Sequence, residues 1–153
     1  MSSKMTSQRL APIQQIAQTK EEDAAKRLLE AQRKLSEREL RLHELQRYVA
    51  EYENGPPAST PLLLMNRQQF LGRLREAVQV QMGLVEQARR DCDAIRGNWL
   101  LKRRDVSTLD QLSECYRRKE ALIDERRDQQ RLDEFALRRY ATRTADDLAE
   151  VGE

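Results

Sequence analysis

The sequence predicts an all-α fold: a long antiparallel two-helix coiled-coil hairpin in which the second helix is longer than the first. Three observations carry this expectation. A bend is marked by Asn54-Gly55-Pro56-Pro57 and Pro61, and no proline follows it. On both sides of that bend apolar residues recur three and four positions apart. Finally, 35% of the residues are charged and only 5% aromatic, the balance of solvated helices with little interior.

The first arm carries a seam through Ala24, Leu28, Ala31, Leu35, Leu42, Leu45, Val49 and Tyr52, broken by Arg38. Upstream the register weakens, because Gln14 and Glu21 take seam positions while Ile13 and Ile16 fall beside them. The first turns are therefore expected to fray or to await a partner. Pro12 is tolerated only near a helix start, which puts the beginning of the arm between Ser7 and Pro12.

Beyond the bend a second seam runs through Leu71, Leu74, Val78, Gln81, Val85, Ala88, Cys92, Ile95, Trp99, Lys102, Val106 and Leu109, interrupted only by Gln81 and Lys102. After Leu109 it thins to Tyr116 and Ile123, and residues 124–131 are wholly polar. The expected organisation is one hairpin with helix 1 over 8–53, a linker over 54–61, helix 2 over 62–144 and a frayed acidic tail over 145–153. Val106-Ser107-Thr108 resembles a helix cap, but the seam continues through it and one helix is retained. The core is assigned to Leu28, Leu35, Leu42, Leu45, Val49, Leu71, Leu74, Val78, Val85, Cys92, Ile95 and Trp99. At 1.5 Å per residue the arms would be roughly 65 Å and 120 Å long, so the second must overshoot the first.

Composition narrows the function. Basic residues exceed acidic by 28 to 26, a balance that does not identify a nucleic-acid partner. There is no apolar run long enough to span a membrane and no apolar signal-peptide core at the N-terminus, so a cytoplasmic protein is expected. Cys92 and Cys115 would lie about 35 Å apart on one helix, beyond disulfide reach, and are expected to be reduced. No catalytic, cofactor-binding or metal-binding residue is assigned, because Gly-rich phosphate loops and clustered His, Cys or Ser-His-Asp sets are missing. His43, the single histidine, follows a seam leucine and should face solvent.

Two surfaces stand out. Phe70, Leu74, Ala77 and Gln81 form a stripe overlapping the second seam, which either widens the internal interface or meets a partner. Leu62, Leu63, Leu64 and Met65 place further apolar surface beside the bend. The far end of helix 2 is polar but carries Leu132, Phe135, Ala136 and Tyr140, a reason to dock elsewhere. Basic clusters at Arg89-Arg90, Lys102-Arg103-Arg104, Arg117-Arg118-Lys119, Arg126-Arg127 and Arg138-Arg139 spread around the helix. Residues 89–143 hold 15 basic and 11 acidic side chains, a solvated face or a dock for an acidic surface.

Two segments, NRQQFLGRLREAV after the bend and DQQRLDEFALRRYATR near the C-terminus, resemble the FliJ family of the bacterial flagellar type III export apparatus. The resemblance covers nearly the whole chain. It implies a non-enzymatic stalk and escort, without cofactor or small-molecule substrate. Such a stalk promotes assembly and activity of the hexameric export ATPase FliI. It also links that ATPase to the export gate FlhA and binds flagellar export chaperones. Membrane contact would be indirect, through the gate, with the protein at the cytoplasmic face of the inner membrane. Carried onto this sequence, the gate-facing stripe would be Phe70, Leu74, Ala77 and Gln81, with Gln81 departing from the family's usual polar residue. The ATPase-facing end would include Gln130, Arg131, Leu132, Asp133, Glu134 and Phe135. The equivalent stalk of a virulence secretion system, a nucleic-acid-associated coiled coil and a homo-oligomeric coiled coil are the alternative readings.

Overall fold

The computed structural model describes residues 7–152, which form two helices, α1 (Ser7–Glu53) and α2 (Pro61–Val151), with no strand among them. They make the antiparallel hairpin expected, with the second helix longer. Contacts group into two compact units, one of Ala17–Val106 and the other of the segment up to Ile16 with Ser107 onward.

In the larger unit burial follows the heptad. Ala24, Leu28 and Leu45 of α1 and Leu71, Val85, Ala88 and Cys92 of α2 are buried, while Leu35, Leu42, Val49, Leu74, Val78, Ile95 and Trp99 are partly buried along the same seam. Each helix leaves its other sides wet, which is the consequence of packing a single stripe against a single partner. Tyr52, placed on the seam by spacing, is 43% exposed, one residue before the end of the helix. The polar interruptions are satisfied across the interface. Gln81 is only 7% exposed, and its side-chain amide donates to the Arg38 carbonyl at 3.0 Å. Trp99 packs in the seam and donates its indole N–H to Glu21 at 2.9 Å. Glu21, which breaks the apolar pattern of α1, thus supplies the carboxylate that Trp99 needs, while Gln81 takes a backbone carbonyl, at Arg38.

The smaller unit repeats this logic near the start of α1. Leu10 is buried, Gln14 donates to Asp110 at 3.1 Å, and Ile13 and Ile16 are exposed. Glu120 accepts both the backbone N–H and the hydroxyl of Ser7, each at 2.9 Å. A carboxylate there satisfies an unpaired donor of the first turn and complements the positive helix end. The helix begins at Ser7, inside the expected Ser7–Pro12 window, and its polar seam positions find specific partners. Ser113 also joins the seam, 3% exposed, and its hydroxyl has no hydrogen-bond partner.

At the other end of α1, in the larger unit, Arg67 performs the opposite cap. Its Nε donates to the Tyr52 carbonyl at 3.0 Å, its Nη1 to the Pro56 carbonyl at 2.5 Å, and its Nη2 also to Tyr52. A cation on the last carbonyls suits the negative helix end. Gly55 makes room for it: a Cβ there would lie 2.6 Å from Nη2 of Arg67. Thr60 then caps α2, its hydroxyl accepting from the Leu63 N–H at 3.2 Å, with Pro61 as the first helical residue.

The helix boundaries differ from expectation mainly at the C-terminus. Instead of ending at 144, α2 continues to Val151. Nothing in TADDLAEV breaks a helix, and the hydroxyls of Thr142 and Thr144 fold back onto carbonyls of the preceding turn. Glu153, the last residue of the expected tail, lies outside the described residues. Through Val106-Ser107-Thr108 the helix is uninterrupted.

Leu28→Ala should destabilise the protein by about 2 kcal/mol, at the low end for a core leucine because one facing helix leaves room to relax. Leu29→Ala, at an exposed neighbour, should fall within about 0.5 kcal/mol of the parent. Urea midpoints of the two variants check the register. Replacing Arg67 with Ala should cost on the order of 1 kcal/mol by uncapping the end of α1, measurable in the same titration.

Candidate partner-binding surfaces

The expected stripe beside the bend lies within the larger unit. Phe70 is 42% exposed and stacks against Tyr52 of α1, with ring centroids 4.7 Å apart and planes tilted by 52°. Such a tilted pair favours both rings in place while leaving one edge of each open. Leu74 and Ala77 are partly buried, and Gln81 is buried with its amide engaged. The four residues therefore do not form one open face: Phe70 leaves less than half of its surface open, and Gln81 offers almost none.

The flank of the seam supplies what the stripe lacks. Leu84 follows Phe70 and Ala77 at seven-residue spacing and is exposed, and Tyr48 of α1 is exposed near the same end. These were hidden from a reading by i, i+4, i+7 spacing; heptad spacing from Phe70 would have found Leu84. Next to the bend, Leu62, Leu63, Leu64 and Met65 are all exposed.

In the smaller unit every residue from Ala121 to Arg143 is exposed. Gln130, Arg131, Leu132, Asp133, Glu134 and Phe135 thus lie on an unsupported stretch of α2, spread around its circumference as consecutive helical residues must be. Leu132, Phe135, Leu137 and Tyr140 are among the exposed apolar side chains there, and Arg139 lies over the Phe135 ring at 5.9 Å.

The basic clusters are partly neutralised where they stand. Arg89 pairs with Glu39 and Glu86, Arg90 with Glu86, and Arg118 with Glu114, all on exposed side chains. Pairs of this kind contribute little to stability, yet they leave no continuous positive stripe. His43 is exposed, Cys115 is an exposed free thiol and Cys92 a buried one. Among the described residues no group of three or more His, Cys, Asp or Glu side chains is arranged to hold a metal ion, and no helix is long and apolar enough to cross a membrane.

The pattern of the family described as "Flagellar FliJ protein" matches residues 6–145. A relative named "Flagellar FliJ protein", from Escherichia coli strain K12, is 29% identical over 134 residues, spanning 84% of this chain and 91% of that protein. No solved structure matches. With a hairpin of unequal helices underneath it and the family's pattern running through nearly all of it, the chain belongs to the flagellar FliJ family and is a flagellar export component.

Proposed function

We propose that the protein is a non-enzymatic stalk and escort of flagellar export, which promotes ring assembly and activity of the hexameric export ATPase FliI. On this reading it also joins that ATPase to the export gate FlhA and receives export chaperones. It works at the cytoplasmic face of the inner membrane at the flagellar base, held there through the gate.

The observation that carries this reading is the exposed length of α2 from Ala121 to Arg143. A helix that buries nothing against its own chain has to gain contacts from outside to be worth its length. Its surface mixes charges of both signs with a few apolar anchors, Leu132, Phe135 and Tyr140. Contacts of that kind are reversible, since exposed ion pairs are weak and each apolar side chain adds only a modest increment. A wholly apolar helix would bind without release. Phe70 with its Tyr52 neighbour, and the flank through Ala77, provide a second and separate place for the gate.

Titrating the protein into its cognate export ATPase should stimulate phosphate release and ring formation, with no hydrolysis by the protein alone. Leu132→Ser together with Phe135→Ser should weaken that stimulation on the order of tenfold in concentration, while helicity and urea midpoint stay close to the parent because both sites are exposed. No stimulation by the parent protein, or full stimulation by the double variant, would contradict this assignment.

A further inference from the structure

Between Asn54 and Asn66 there is no charged side chain, in a chain where 35% of residues are charged. Within that stretch Leu62, Leu63, Leu64 and Met65 are consecutive in the first turn of α2 and 69%, 51%, 47% and 58% exposed. Consecutive helical residues point about 100° apart, so the four side chains ring the end of the helix. A groove in a protein covers one stripe of a helix; a ring of apolar side chains at a helix end fits a medium that closes around it from all sides.

The charges that border this end are already held. Glu51 pairs with Arg47 at 3.8 Å, Glu53 with Arg75 at 2.7 Å, and Arg67 is fixed on the carbonyls of Tyr52 and Pro56. The backbone there is similarly prepared. Pro61 has no N–H to desolvate, and the N–H groups of Leu63 and Leu64 already bond to the hydroxyl and carbonyl of Thr60. A helix N-terminus normally brings several unpaired donors that resist transfer out of water. Here most are paired, and behind the apolar ring stands the polar collar Asn66-Arg67-Gln68-Gln69.

We propose that the bend of the hairpin is a lipid-contact tip: Leu62, Leu63, Leu64 and Met65 insert end-on into the outer few ångströms of a bilayer, with Asn66 to Gln69 at the headgroups. The inserted length, about 6 Å for four residues at 1.5 Å each, is in the range of interfacial insertion and far short of a span. Because the tip is uncharged, apolar transfer drives the contact and the sign of the lipid headgroup matters little. This contact is direct, whereas the export reading requires only indirect membrane association, and neither depends on the other.

Flotation of the full-length protein with phosphatidylcholine vesicles, and with vesicles containing added phosphatidylglycerol, tests it. The protein should float with both, and should remain bound in high salt, which screens charge and strengthens apolar burial. Each of Leu62→Ser and Leu63→Ser should lower the partition coefficient about tenfold, with the circular dichroism spectrum unchanged because these side chains touch solvent. Three results would overturn the proposal: no flotation, flotation confined to anionic vesicles at low salt, or equal flotation of the serine variants. The last two would assign the binding to the basic clusters or to another part of the chain. Loss of gate binding by the serine variants while the parent fails to float would make the tip a protein-binding surface instead.

Discussion

The seam between α1 and α2 buries only one stripe per helix, so the fold depends on keeping that stripe in register. Rotating either helix about its axis by one residue, about 100°, would turn the buried set toward water. Most of the stabilisation comes from the small and branched side chains of the seam, and the register is specified by polar contacts. In the larger unit Gln81 bonds to the Arg38 carbonyl and Trp99 to Glu21 across the part-buried interface, and Arg67 bonds to the end of α1. In the smaller unit Gln14 with Asp110 and Ser7 with Glu120 do the same. Polar groups in an interface cost stability when unmatched, so the part-buried pairs favour this register over its neighbours.

The two trans caps are chemically opposite, as the helix dipole requires. A carboxylate meets the Ser7 N–H at the start of α1, and a guanidinium meets the Tyr52 carbonyl at its end. Holding Arg67 there engages its donors and fixes the bend, so the apolar residues 62–65 emerge from a structured turn. An ordered tip loses less conformational entropy on meeting a partner than a mobile loop would. The orphaned hydroxyl of Ser113 and the absence of intramolecular cover past Ala121 show the reverse condition in the smaller unit, where helix is formed with little tertiary return.

Much of this was legible in the sequence because heptad spacing is geometric and survives substitution. The bend, the two seams, the unequal arms and the exposed placement of Leu132 and Phe135 all follow from periodicity and proline position. What periodicity could not display was pairing between distant polar residues. Glu21 and Gln14 looked like defects in the seam until Trp99 and Asp110 were seen opposite them, and Glu120 and Arg67 carried no local signature of capping a helix on the other arm. The stripe through Gln81 was misleading for a related reason: the second seam already put Gln81 in the interface, and its bond to the Arg38 carbonyl holds it there, so it does not belong to an open face. The continuation of α2 to Val151 was missed because an acidic tail lacks an apolar pattern, whereas helix needs only the absence of a breaker.

Backbone hydrogen exchange along α2, read with the protein alone and again with the export ATPase hexamer present, tests the central claim most directly. Alone, amides of 71–106 should be strongly protected and those of 121–143 should exchange fast, since no tertiary contact slows their opening. Adding the ATPase should slow exchange over 121–143 and leave 71–106 nearly unchanged. Equal protection of both segments in the free protein would contradict the account of an unsupported end. Fast exchange of 121–143 that the ATPase leaves unaltered would remove that end as the docking element.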